Sequence, residues 1–329
     1  MAELVKAAPA APAPFNIVRM SHVEYVVTDI KAARHFYVDT LGLVLSAETG
    51  DALFLRALEE RGHHSIRLTE GPVPATRCIG FRVFTDQDLD LAAEFFASRN
   101  LPVEWARQPF MGRVLRTRDP WGVPLEFYAE MQRLPTLHQS YGRYRGVKPL
   151  RIDHANLFAP DVDGAAEFYA GLGFRLTEYT EDEESGRKWA AWLQRKGNVH
   201  DIAFTNGRGP RLHHCAFWIA NPLHIIEFLD LISTTGYLAN IERGPGRHGI
   251  SNAFFLYVTD PDGHRIELYS SDYQTVDPDH EPIKWDLRDP TRQTLWGAPA
   301  PRSWFEEGTQ FEDVACTEPV NAGTPIIAP

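Results

Sequence analysis

Three side chains in the second half of the chain have the types and settings for metal chemistry. His154 lies in RIDHANLF, His214 in RLHHCAFW and Glu267 in GHRIELY, each a polar group inside an apolar, β-prone run. Side chains alternate along a strand, so Arg265, Glu267 and Tyr269 share one face, while His264, Ile266 and Leu268 share the other. A carboxylate at mid-strand is met by an arginine, by solvent or by a metal ion. A histidine taken singly reads as a hydrogen-bonded core residue. Taken together, two imidazoles and one carboxylate converging from three strands are the donor set of a facial triad for non-haem Fe(II). Mn(II) also fits such a set, and three octahedral positions stay open.

Holding such a set needs strands, and the chain supplies them as a repeat. Arg19–Val27 alternates like a strand, Asp29–Leu41 has a helical pattern ended near Gly42, and strands follow around 52–57 and 64–68. The order then recurs, with a strand at 79–84, a helix at 89–98 and a hairpin joining 114–118 to 124–128 across Asp119-Pro120-Trp121-Gly122. Residues 151–269 run through the same order again: DPWGVPLEFY at 119–128 parallels DPDGHRIELY at 260–269. Within 242–269, Gly244-Pro245-Gly246 predicts a loop, and Ala253–Val258 and His264–Tyr269 predict a hairpin. The organisation expected is a disordered Ala/Pro-rich arm (1–15), a first module pair without metal (16–130), a linker (131–150), a catalytic module pair (151–272) and a tail (273–329). That tail reads as extended, pinned by Trp285, Trp296 and Trp304 and a candidate cap for the active site, with little regular structure past Glu306. In the first pair His22, Cys78 and Glu126 fall opposite His154, His214 and Glu267, although Cys78 reads more simply as a small buried residue.

Composition narrows the class. The 329 residues carry a net charge of -11, which argues against a nucleic-acid partner. Three widely spaced cysteines suit a reducing compartment, the first residues lack the basic start of a signal peptide, and no run is apolar enough to span a bilayer. The expectation is a soluble, cytoplasmic protein without a membrane partner.

The run from Gly246 to Glu267, with His248, Leu256-Tyr257, Asp260-Pro261, Gly263 and Glu267, resembles the signature of the type I extradiol ring-cleavage dioxygenases of the vicinal oxygen chelate superfamily. The resemblance spans roughly residues 16–305 and is densest with the homoprotocatechuate-cleaving branch, in HDIAFTNGRGPRLHH, ERGPGRHGISNAFFLY and DPDGHRIE. It implies an α+β, glyoxalase-like fold of tandem βαβββ modules, with curled mixed sheets around a metal cleft and one metal, in the second module pair. It further implies Fe(II) as cofactor, with Mn(II) the alternative, and extradiol (meta) cleavage of homoprotocatechuate by O2 to a 2-hydroxymuconate semialdehyde in a homotetramer. By the same resemblance His154, His214 and Glu267 hold the metal, His200 in NVHDIAF is the acid/base, and Tyr257 donates a hydrogen bond beside substrate and oxygen. Asn156, Trp192, Arg243, His248 and Arg292 fall on the substrate side.

Arg243, Arg247, His248, Arg265 and Arg292 form a cationic group that suits a carboxylate-bearing ring, although Arg247 and Arg265 taken alone read as solvated. One position departs from the branch: where its members carry two adjacent arginines in the tail, this chain has Arg292 followed by Gln293, a hydrogen-bond donor without charge. The alternatives are a dioxygenase for another substituted catechol, a glyoxalase-type isomerase with metal ligands shared between modules, and a metal-free aromatic-binding protein.

Overall fold

The computed structural model describes residues 12–325, so most of the expected arm, residues 1–11, lies outside the described residues. Within the remainder of that arm the expected disorder is not found: Phe15 is buried, its ring 5.8 Å from Phe95 and 5.6 Å from Phe127.

Four βαβββ units follow one another. The first comprises β1 (Ile17–Val27), α1 (Ile30–Arg34), β2 (Val44–Thr49), β3 (Ala52–Arg56) and β4 (Ile66–Glu70). The second comprises β5 (Ala75–Val83), α2 (Asp86–Ala97), β6 (Glu104–Arg107), β7 (Arg113–Arg118) and β8 (Pro124–Tyr128). The third comprises β9 (Arg151–Ala159), α3 (Val162–Gly171), β10 (Arg175–Asp182), β11 (Arg187–Gln194) and β12 (Ile202–Asn206). The fourth comprises β13 (Arg211–Trp218), α4 (Pro222–Thr234), β14 (Ile241–Arg247), β15 (Phe254–Thr259) and β16 (Arg265–Ser270). The tail adds β17 (Ile283–Asp286), β18 (Trp296–Gly297), α5 (Arg302–Glu306) and β19 (Thr309–Gln310).

The first two units make one mixed sheet, ordered β2-β3-β4-β1-β5-β8-β7-β6. The last two and the tail make another, ordered β17-β10-β11-β12-β9-β13-β16-β15-β14-β18, with β19 on β13. The tandem βαβββ architecture implied by the family resemblance is thus present, and each sheet joins its two units through an antiparallel central pair, β1 with β5 and β9 with β13.

Local chemistry accounts for the element ends. Asp29, Asp161 and Asn221 cap α1, α3 and α4 through their side chains, and Thr85 with Asp88 forms a capping box at α2. Two expectations change. The helix predicted over 29–41 widens after Arg34 into a π-helical turn, His35–Thr40, closed by the Leu41 N–H on the Phe36 carbonyl at 2.8 Å. The predicted Gly-Pro-Gly loop lies inside β14, whose register with β15 shifts between Arg243 and Gly246. Such a bulge absorbs the missing proline N–H, and Gly244 takes φ +100 where a Cβ would lie 2.8 Å from the Phe255 carbonyl oxygen.

The two halves clasp each other reciprocally. The Tyr37 hydroxyl donates to Asp260 in the turn of the fourth unit, at 3.0 Å, and the Tyr169 hydroxyl to Asp119 in the turn of the second, at 3.4 Å. Both aspartates also accept backbone N–H groups of their own turns, from Trp121 and Val123 and from Asp262 and His264. No helix among the described residues is long and apolar enough to cross a membrane.

Candidate functional site

Strand register builds the site as two neighbouring rows on one face of the second sheet. One row runs His154, Ala216, Glu267, Tyr257, Arg243 across β9, β13, β16, β15 and β14. The other runs Trp192, Ala203, Asn156, His214 across β11, β12, β9 and β13. An alanine stands second in each row, so the large side chains on either side of it converge over an open floor. His200 enters from the loop before β12, its ring 3.8 Å from that of His154.

His154 Nε2 and His214 Nε2 lie 3.0 and 3.1 Å from Glu267 Oε2 and 3.3 Å from each other, and all three residues are buried. Ligands about 2.1 Å from an octahedral ion and at right angles to it stand roughly 3 Å apart, so the spacing is that of one face of an octahedron. The outer contacts give the same answer. His154 Nδ1 lies 3.1 Å from Asp153 Oδ2 and donates to it, which leaves Nε2 bare and facing a carboxylate oxygen. Two lone pairs facing each other at that distance call for a cation between them, and the residues therefore fit a divalent metal.

Electrostatics sets the protonation of the surroundings. Burial acts to raise the Glu267 pKa, but the surrounding imidazoles of His154, His214 and His248 hold it well below the usual carboxylate range. Burial, reinforced by His154, pushes His200 well below an ordinary imidazole, and burial with the Glu267 charge lifts the Tyr257 phenol. At neutral pH the site thus offers an anion, a free base and a hydroxyl donor. His248 Nδ1 donates to the Gln293 carbonyl, so its Nε2, at 3.1 Å, accepts the Tyr257 hydroxyl. His248 also stacks on Phe255, with centroids 3.9 Å apart.

One cavity gathers most of the residues named from the sequence: His154, His214, Glu267, His200, Tyr257, Asn156, Trp192, His248 and Arg292 all line it. The tail closes part of it, through Arg292, Gln293 and Trp304. Arg243 does not reach the wall. It is buried in a cage of Phe255, Tyr257 and Trp304, 4.7 to 5.8 Å from their centroids, and donates to the Gln293 carbonyl and the Thr294 hydroxyl. Arg265, read as solvated, is buried too: it pairs with Glu242 and donates to the carbonyls of His213 and Glu307. Arg247 donates to the Asn252 carbonyl, away from the cavity.

Sequence reasoning passed over Trp189 and Thr205, which also line the cavity, and Asp153 and His213 behind the histidines. Tyr269, another lining residue, had a signal, since it shares a strand face with Glu267. Of the three tail tryptophans, Trp285 donates to Glu178 and Trp304 is buried as expected of anchors, whereas Trp296 is half exposed.

The first half carries the corresponding donors, His22, Cys78 and Glu126, mutually within 4.8 Å. There Glu126 accepts from His22 (3.1 Å), Arg116 (3.1 Å) and Gln108 (3.2 Å), and Arg67 sits 2.6 Å from the neighbouring Glu24. Guanidinium groups meet the carboxylates that a metal would otherwise neutralise.

Comparison with known proteins gives the class. Residues 19–127 and 151–268 match the Glyoxalase/Bleomycin resistance protein/Dioxygenase superfamily, and the chain belongs to it. Among curated relatives, the manganese-dependent 2,3-dihydroxybiphenyl 1,2-dioxygenase of Geobacillus genomosp. 3 is 31% identical over 86% of this chain and 95% of its own. The metapyrocatechase of Geobacillus stearothermophilus is 30% identical over 90% and 94%. Among solved structures, a homoprotocatechuate 2,3-dioxygenase variant from Brevibacterium fuscum superposes with a TM-score of 0.91 at 42% identity, covering 95% of this chain and 89% of that one. The Arthrobacter globiformis enzyme gives 0.89 at 41%, covering 93% and 95%. Within the superfamily the chain is an extradiol, ring-cleaving dioxygenase of catechols.

Proposed function

We propose that the chain opens homoprotocatechuate by extradiol cleavage with O2, through an Fe(II) or Mn(II) ion held by His154, His214 and Glu267. A metal held there would supply the Lewis-acid and redox chemistry that brings a catechol and O2 to reaction. The protein's own residues do the rest. His200, neutral and without a partner at Nδ1, takes a proton from the catechol and returns it to the oxygen side. Tyr257, whose single O–H rests on His248 Nε2, turns it from there to the oxygens of the bound ring. Trp192 and Trp189 wall the cavity, so the reacting atoms are kept from water.

The observation that carries the choice of substrate is Arg292. It is 2% exposed, lines the cavity and donates through Nε to the Leu287 carbonyl, and no carboxylate among the described residues lies within ion-pair distance of it. Burial lowers its pKa to about 10, which still leaves it charged at neutral pH. A buried guanidinium without an anion is costly, and a ring bearing a carboxylate supplies one. The 42% identity to homoprotocatechuate dioxygenases supports the same choice. A second reading, a catechol with a neutral substituent, is favoured by Gln293, which holds no charge, and by the substrates named for the curated relatives. Turnover of homoprotocatechuate against 4-methylcatechol separates them: a higher kcat/KM for the acid supports the first reading, and a preference for the methyl compound overturns it. Homotetrameric assembly and a cytoplasmic location, in keeping with three unpaired cysteines, complete the proposal; sedimentation velocity tests the former and cell fractionation the latter.

A further inference from the structure

The tail reaches the candidate metal through one residue that contacts neither cavity nor substrate. For His214 to hold a metal at Nε2, its proton must sit on Nδ1. That nitrogen lies 2.6 Å from His213 Nδ1, so one proton lies between the two and His213 is the acceptor. His213 then carries its own proton on Nε2, which lies 2.8 Å from the main-chain carbonyl oxygen of Trp304, an atom that only accepts. The reverse order puts a proton on His214 Nε2, against Glu267, and leaves no lone pair for a metal. Adjacent residues on a strand ordinarily face opposite ways. Here the register of β13 on β9 shifts between Leu212 and His214, a bulge at His213 that brings the neighbouring rings to 4.8 Å between centroids. The tail segment that carries this carbonyl is stapled to β13 and β16 independently of the ring. Arg265 donates to the carbonyls of His213 (3.1 Å) and Glu307 (2.9 Å), and Arg211 to that of Glu306 (2.9 Å).

We propose that His213 is a positioning residue through which the Trp304 carbonyl fixes the proton of His214 on Nδ1, so that docking of the tail and readiness of the metal site are coupled. The inference rests on His214 being a metal ligand. Coupling is reciprocal, so the metal must in turn hold the tail.

Two conservative variants divide the bridge. His213→Asn places an amide oxygen where Nδ1 stands and keeps the acceptor for His214 while losing the donor to the tail. His213→Gln keeps an N–H toward the Trp304 carbonyl and loses the acceptor. Metal-free protein is titrated with Mn(II), free ion being read by its electron paramagnetic resonance, and tryptic cleavage after the exposed Arg302 is followed by mass spectrometry with and without Mn(II). The wild type is expected to bind one Mn(II) per chain and to be cleaved more slowly when loaded. His213→Gln should bind about 10–100-fold more weakly and His213→Asn within a few-fold of wild type, and in neither should Mn(II) slow the cleavage. Unchanged affinity in His213→Gln, an equal loss in both variants with a lowered melting temperature of the metal-free protein, or wild-type cleavage indifferent to Mn(II) each overturns the proposal. A wild type that binds no Mn(II) overturns the metal reading as well.

Discussion

At the scale of residues, the division of labour follows from what each side chain can still give once buried. His200 has a ring nitrogen without a partner and a depressed pKa, which suits it to the role of base rather than ligand in the proposed function. His200→Asn is expected to lower kcat by roughly 10²–10⁴-fold while Mn(II) still binds with wild-type stoichiometry. Loss of the metal in that variant would instead make His200 part of the metal set. Gln293, beside Arg292, is the residue expected to tune substrate choice. Its main-chain carbonyl holds Arg243 and His248, and its amide faces the cavity unpaired. A charged hydrogen bond is worth about 1.5–3 kcal/mol, so Gln293→Arg should raise the preference for homoprotocatechuate over 4-methylcatechol by roughly 10–100-fold. A ratio of kcat/KM values that does not move would remove position 293 from substrate recognition. The triad was legible in the sequence because each member is a polar group in an apolar run, whereas His200 and Tyr257 entered only through the family resemblance. Asp153 and His213 were not: a residue beside a ligand is expected on the opposite strand face, and only local geometry turns it back.

At the scale of elements, register does the positioning. Ala216 sits between His154 and Glu267 in the row across β9, β13 and β16, where a larger side chain would stand in the metal's place. Ala216→Val should therefore abolish Mn(II) binding, measured by titration, with a stability cost of about 1–3 kcal/mol that leaves the fold intact. Retained binding would mean that the row does not frame the metal. The rows themselves could not be read from the sequence. Alternation assigns faces within one strand, but the alignment of one strand with the next depends on bulges such as those in β13 and β14. For the same reason the Gly-Pro-Gly run looked like a loop and proved to be a bulged strand. The tail was legible as aromatic and extended. That its main chain extends the sheet at β17 and β18 was hidden, because backbone hydrogen bonds leave little trace in side-chain pattern.

At the scale of the whole molecule, the repeat made the fold legible: duplicated DPxG turns and helices ending in Phe-Tyr marked equivalent positions in the two halves. What the repeat could not convey is that these marks meet across the halves, Tyr37 on Asp260 and Tyr169 on Asp119. Burial lifts the Asp119 carboxyl to about 7 against the hydrogen bonds that lower it. Between the unfolded value of about 3.9 and that point the folded chain keeps a proton that the unfolded chain releases, so this group's contribution to stability falls as pH rises. Asp119→Asn, neutral at every pH, should gain in melting temperature on the wild type from pH 5 to pH 8; a constant difference would show that the buried carboxyl does not titrate there. The duplication also explains why one half is expected to hold metal and the other not, since Arg116 and Arg67 neutralise the first half's carboxylates while the second half's Glu267 faces two histidines. The most direct test of the account is oxygen uptake by the purified, Fe(II)-loaded protein given homoprotocatechuate, with the absorbance of the product followed in parallel. One O2 consumed per ring, with a yellow semialdehyde formed in step, is the predicted result; no uptake by protein with one metal bound per chain would contradict it.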